Sequence, residues 1–273
     1  MFTNICKIFA DDTKVYNQSL NNNIVQKDLN SLQEWSDKWQ LHFNNIKCKC
    51  LYSGKNNQEN QYHLNDKSGI QVIGKCIKEK DLGITFDSTM KFDIHINSVI
   101  NKGNKILGLI KRNFKYIDKH IFNSLYKALI CSNLEYGQTI KRQSVTIENV
   151  QRRTTKLVAS ISKLPYKERL KYLNLHSLKY RRIRGDLIQI YKLIKDPNHS
   201  SNLIKLSDIK CTRGHNLKLY KETCKTDARK FSFPNRAIND WNSLHSNTVN
   251  ATNINVFKKL LDEDLKNLLY EVD

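Results

Sequence analysis

The sequence predicts an α+β chain in which strands come first and helices follow. Three observations carry this reading. Residues 1–92 hold short, alternating apolar runs broken by glycines and one helical stretch. From about residue 93, apolar residues recur at three- and four-residue spacing through successive segments. A polar, less regular stretch, 196–250, then leads to a last amphipathic helix. The expected organisation is a small antiparallel sheet with a helix over 1–92, an all-helical bundle over 93–195, and a mixed tail over 196–273.

Each element has its own signal. Ile5, Ile8, Phe9, Val15 and Tyr16 predict two short strands joined by a tight turn at Asp11–Asp12–Thr13. Val25, Leu29, Leu32, Trp35 and Trp39 predict a helix that buries all five, with Asn22 or Asn23 as its cap. The run "KCKCLYSG" reads as a strand, 54–61 as a polar loop, and "GIQVIGKCIKEKDLGITFD" as a β-hairpin or small sheet. Ile96, Val99, Ile100, Gly103, Leu107, Ile110 and Phe114 form the stripe of a first long helix. Asp118 caps a second, bearing Ile121, Phe122, Leu125, Leu129 and Ile130. A third carries Ile147, Val150, Leu157, Val158 and Ile161; a fourth, near 177–195, carries Leu178, Ile183, Leu187, Ile190 and Ile194. The last has Val256, Phe257, Leu260, Leu261, Leu265, Leu268 and Leu269 on one side.

Composition narrows the function classes. The 273 residues carry a formal charge of +20, which points to an acidic polymer as partner, nucleic acid foremost, or else to solvated basic helix faces. Residues 101–195 hold 22 Lys/Arg against 5 Asp/Glu, so most of the excess lies in the helical part. Lys111 and Arg112, then Arg152, Arg153 and Lys156 in "QRRTTK", then Lys179, Arg181, Arg182 and Arg184 in "KYRRIR", are the candidate phosphate contacts. Seven irregularly spaced cysteines argue against a disulfide framework and for a reducing, intracellular setting. No run approaches the roughly 18 apolar residues of a membrane span, and no secretory leader is evident. Cys211, His215 and Cys224 lack an obvious fourth ligand for zinc. No glycine-rich phosphate loop or other small-molecule cofactor motif is evident.

The adjacent carboxylates Asp11 and Asp12 in "KIFADDTKVY" pose the sharpest question. On a straight strand they would point to opposite faces. At a tight hairpin turn one or both can reach a shared cation, as phosphoryl-transfer chemistry with paired metals requires. An ordinary acidic turn would use the same residues.

The surroundings of that turn resemble the reverse transcriptases of non-LTR (LINE-type, Jockey-like) retrotransposons. There a FADD or YADD turn precedes a helix of pattern Leu-x-x-Trp-x-x-x-Trp and a segment Leu-x-Phe-Asn-x-x-Lys-Cys. This chain offers Leu32, Trp35, Trp39, then Leu41, Phe43, Asn44, Lys47 and Cys48. The likeness continues through "KDLGITFDSTMKFDIHI", "LGLIKRNF", "LEYG", "VQRRTTKLV", "YKERLKYLNLHSLKYRRIRGDLIQIYK", "FSFPNRAINDWNSL" and "FKKLLDE". It implies that residues 1–92 are a partial palm, with Asp11 and Asp12 as Mg²⁺-binding catalytic carboxylates. It implies for Lys47 a place beside the triphosphate, where it would neutralise or protonate the departing pyrophosphate. The hairpin around Gly69–Phe86 would be the primer grip. The helices after residue 93 would be a thumb that holds the RNA template–DNA primer duplex by its backbone. Two positions depart from the pattern: His245 stands where proline is usual, and "QTIKRQS" lacks the usual tryptophan after "LEYG". The family's further metal-binding Asp and its fingers lie upstream of the FADD turn, and these 273 residues do not contain them. The chain is therefore expected to behave as a C-terminal part of an RNA-directed DNA polymerase and to be inactive alone, with a non-enzymatic nucleic-acid binder or a pseudogene product as the alternative.

Overall fold

Alternation and turn chemistry shape the first 92 residues. The computed structural model describes residues 5–17, 22–54, 57, 59–66, 69–137, 144–196, 203–208 and 214–271. Strands β1 (Ile5–Phe9) and β2 (Asp12–Tyr16) pair antiparallel with Phe9 opposite Asp12, which leaves Ala10–Asp11 as a two-residue turn. The turn thus sits one position earlier than expected, and Asp12 begins a strand. Helix α1 (Asn22–Trp39) follows. Its expected caps, Asn22 and Asn23, fall within the helix, and their side chains lie outside the described residues.

The buried face of α1 differs from the sequence reading. Val25, Asp28, Leu32 and Ser36 are buried, whereas Trp35 is 44% and Trp39 60% exposed. The helix packs chiefly on β4 (His63–Asp66), and its covered stripe is narrow. Periodicity placed both tryptophans on the apolar side, but the described residues of this unit leave both exposed. Gln26 fixes the contact. Its side-chain amide donates to the His63 carbonyl at 2.9 Å, and its oxygen accepts the His63 N–H at 2.9 Å.

The expected small sheet is four separate two-stranded pairings among the described residues. Besides β1–β2, β3 (Lys49–Leu51) runs parallel to β6 (Gly74–Cys76), and β4 pairs antiparallel with β5 (Gly69–Val72). Strands β7 (Lys78–Asp81) and β8 (Ile84–Asp87) form a hairpin whose turn residues, Leu82 and Gly83, both have positive φ, 45° and 82°. That is the φ pattern of a type I′ turn. After β8 the Asp87 carboxylate accepts the N–H groups of Thr89 and Phe92, each at 2.9 Å. Burial works against that carboxylate, but these bonds prevail and hold its pKa below the ordinary value.

The chain divides into two compact units, Met1–Phe92 and Asp93–Asp273. The segments 93–195 and 196–273, read separately from the sequence, therefore lie in one unit. Helix α2 (Asp93–Asn113) buries Ile96, Gly103 and Ile110, while Phe114 lies beyond its end and is exposed. Gly103 permits a close crossing: a Cβ there would stand 3.1 Å from Val150 Cγ1 and 3.4 Å from Leu134 Cδ2. Asp118 caps α3 (Lys119–Leu125) by accepting the Ile121 N–H at 2.8 Å. The helix continues through a π-helical segment, Tyr126–Cys131, into α4 (Ser132–Glu135).

The expected third helix is shorter than its apolar stripe. Helix α5 (Ser144–Thr154) gives way to two 3₁₀ turns, Thr155–Leu157 and Ala159–Ile161, with Val158 extended between them. The break still buries Val158 and Ile161, so the stripe predicted burial correctly and conformation wrongly. Helix α6 (Tyr166–Leu173) was not anticipated as a separate element. Pro165 before it and Asn174 after it, left-handed at φ 54°, mark its ends.

Helix α7 (Leu178–Lys195) starts at Ser177, whose hydroxyl accepts the Tyr180 N–H at 3.2 Å. Glu148 of α5 reinforces that start. Its carboxylate accepts the Leu178 N–H at 2.9 Å and the Tyr166 hydroxyl at 2.6 Å. Burial raises its pKa despite those bonds. Among the described residues, three short helices, α8 (Asp227–Lys230), α9 (Ile238–Asn242) and α10 (Ser246–Val249), and a longer one, α11 (Ile254–Asp264), follow.

Two apolar clusters hold this unit. The first gathers Ile96, Phe122, Ile130, Leu134, Val150, Leu170 and Leu178 with their neighbours. The second gathers Tyr180, Leu187, Ile190, Tyr191, Trp241, Phe257 and Leu261, with Tyr191 stacked on Phe257 at 4.2 Å. Helix α7 contributes to both. In Met1–Phe92, by contrast, Val25, Leu32, Leu64 and Phe92 are the buried apolar residues among those described.

Candidate functional site

The acidic turn is built by hairpin geometry. A two-residue connection matches the twist of its strands when its first or both central residues take positive φ. Here Ala10 adopts φ 52°, a conformation that disfavours a Cβ. This places Asp11 in the turn and Asp12 at the head of β2, both exposed. Neighbouring carboxylates at such a tip supply oxygen ligands of the kind Mg²⁺ takes.

One carboxylate elsewhere in this unit comes near β2. Asp81 forms an ion pair with Lys14, two residues along β2 from Asp12. The hydrogen bond to Asp81 raises the Lys14 pKa, and the charges of Asp81, Tyr16 and Asp12 add to it. Asp81 is thus engaged by a cation of the chain itself. Among the described residues, no group of three or more His, Cys, Asp or Glu side chains converges as a metal site. Asp11 and Asp12 thus offer two exposed carboxylates, and the described residues gather no third His, Cys, Asp or Glu beside them. Lys47, expected on a strand, instead ends a turn before β3. Its N–H donates to the Asn44 carbonyl at 3.0 Å, and its side chain is exposed.

The basic candidates divide into two groups. In "KYRRIR", Lys179, Arg181 and Arg184 are each paired with a carboxylate of the fold. Lys179 Nζ lies 3.4 Å from Glu271, and Arg181 forks onto both oxygens of Glu135. Arg184 forks onto Asp262 at 2.5 and 3.0 Å, where Tyr180 also donates at 2.8 Å. The Glu135 hydrogen bond raises the Arg181 pKa, and the Asp262 bond raises that of Arg184. Burial opposes the Asp262 charge, yet Arg184 and Tyr180 hold its pKa below the ordinary value. These side chains staple α7 to α4 and α11. Arg182 is half-buried, and its charge acts on Glu148.

Arg152 is also half-buried, its guanidinium 5.2 Å from the ring centre of Tyr166, with Arg169 at 5.5 Å from the same ring. Lys111, Arg112, Arg153 and Lys156 are exposed, and they form the second group. The sequence reading passed over Lys115 and Tyr116 beside Lys111 and Arg112. Alternation of basic and aromatic residues in "KRNFKY" was the signal that would have found them.

The zinc candidates do not assemble in the described residues. His215 is buried, with Nε2 at 3.0 Å from the Trp241 carbonyl oxygen, while Cys224 hydrogen-bonds to the Glu222 carbonyl. Cys211 lies outside the described residues, as does the departure at 138–143. His245 precedes α10 with φ −66° and ψ 147°, a backbone shape that proline shares. Cys6, Cys48, Cys50, Cys76, Cys131 and Cys224 are free thiols. Among the described residues, no helix is long and apolar enough to cross a membrane. Comparison with family models, with curated proteins and with solved structures finds no match.

Proposed function

We propose that the chain is part of an RNA-directed DNA polymerase of the non-LTR retrotransposon kind. It would hold the acidic turn of a catalytic palm and a helical, thumb-like unit that contacts a template–primer duplex through phosphates. The observation that carries the reading is the hairpin with Asp11 and Asp12 at its tip, both carboxylates open to solvent. Mg²⁺ bound there would neutralise charge on the transferring phosphoryl group. The chain's own part is to present the two carboxylates in its first unit and to bind duplex phosphates with its helical unit. Because the described residues leave the cation cage incomplete, these 273 residues alone are expected to bind a duplex and not to extend a primer.

A second reading, a non-enzymatic nucleic-acid binder, draws on the exposed cations Lys111, Arg112, Arg153 and Lys156, which act without any metal site. Fluorescence anisotropy with a primed RNA template over a salt series tests what the two readings share. Affinity should fall linearly in log–log form, and Arg153→Gln and Lys156→Gln should each reduce the slope by about 1. Binding indifferent to salt would sink both. Both readings expect no Mg²⁺-dependent primer extension by the purified chain; extension that Asp11→Asn abolishes would establish the polymerase over the second reading and overturn the expected inactivity.

A further inference from the structure

The segment after α2 joins charge to exposed aromatic surface in a way the duplex reading does not use. Lys111 and Arg112 close the helix, and Phe114, Lys115 and Tyr116 follow at once. Tyr116 is 75% exposed and Phe114 40%. The loop is nonetheless held at both ends. The Phe114 N–H donates to the Ile110 carbonyl at 3.0 Å, Ile117 is buried, and Asp118 caps α3. The rings are thus presented by a fixed backbone. Just beyond, Lys119 Nζ lies 5.3 Å from the ring centre of the half-exposed Tyr172. Asp118 is the sole acid of residues 111–120, and its carboxylate is occupied as the cap.

Cations in the last turn of a helix also complement its dipole, which accounts for Lys111 and Arg112. It does not account for Tyr116 left in water beside them, with Phe114 partly open next to it. Bases inside a duplex are already stacked, so only unpaired nucleotides offer free faces to such rings. Resting on the nucleic-acid reading above, we infer that this loop is a stacking platform for single-stranded nucleic acid. Tyr116 and Phe114 receive unpaired bases, and Lys111, Arg112 and Lys115 hold the flanking phosphates. An acidic peptide would satisfy the same cations but has no need of the aromatic faces.

The test uses the full chain, a single-stranded oligonucleotide carrying 2-aminopurine, the matching blunt duplex, and poly-glutamate. Tyr116→Ala should weaken single-strand binding about tenfold and relieve the quenching of 2-aminopurine. It should leave duplex affinity and the thermal melt unchanged, and Tyr116→Phe should restore the wild-type values. If Tyr116→Ala binds the single strand as the wild type does while duplex binding stays salt-dependent, the platform is refuted and the nucleic-acid reading stands. If neither oligonucleotide binds, that reading falls and takes the platform with it. Poly-glutamate binding more tightly than the single strand would overturn the platform in favour of an acidic peptide.

Discussion

Single side chains show what a sequence hides. Sign and number of charges are visible in "KYRRIR", but their partners are not. Glu135 is 46 residues away from Arg181, and Asp262 is 78 away from Arg184. A basic cluster on paper is therefore, in space, largely a set of staples. Asp118 was legible because a helix cap acts within three residues. Burial, another long-range property, sets the histidines. His95, His176 and His215 all have pKa values pulled below 6.5, by burial first. The unfolded chain therefore binds more protons than the folded one between the folded pKa and 6.5. Stability is complete above that window and is lost as pH falls through it. The melting temperature of the helical unit should drop between pH 7.5 and 5.5, and His215→Gln should flatten the dependence. Glu148, raised by burial, acts with the opposite sign from pH 4.5 upward. A melting temperature that stays level, or rises on acidification, would contradict this assignment.

Among the elements, long stripes with a 3.6-residue period were read well, because a helix packed on several neighbours must place apolar groups at that spacing. Helices α2 and α7 are examples. The reading failed where tertiary context decided. In α1 the pattern marked an amphipathic helix correctly but could not say how much of the apolar side has a neighbour, so Trp35 and Trp39 came out exposed. After α5, Val158 keeps its place in the core only by leaving the helix. The crossing of α2 and α5 supplies a measurable case. Gly103 lets the helices approach until Val150 stands 3.1 Å from the position of a Cβ. Gly103→Val should cost about 1–3 kcal/mol by overpacking, read from the urea midpoint of the helical unit. An unchanged midpoint would mean that the crossing is looser than its geometry.

At the scale of the whole molecule, the α+β class and the change of character at residue 93 were legible, since local periodicity alone distinguishes the two units. The acidic hairpin was legible too, to within one residue. The join across residue 195 was not, because nothing local in 196–250 announces that Trp241, Leu244 and Val249 join the cluster of α7. That helix faces two ways: Leu178 belongs to the first apolar cluster, and Tyr180, Leu187, Ile190 and Tyr191 belong to the second. A polypeptide ending at Lys195 would retain the earlier helices yet lay bare a continuous greasy flank along its last one. Such a truncation should pellet from a cell extract, whereas residues 93–273 should stay in the supernatant. Anyone trimming this chain to its basic helices would thus be cutting away the lid that keeps them dispersed.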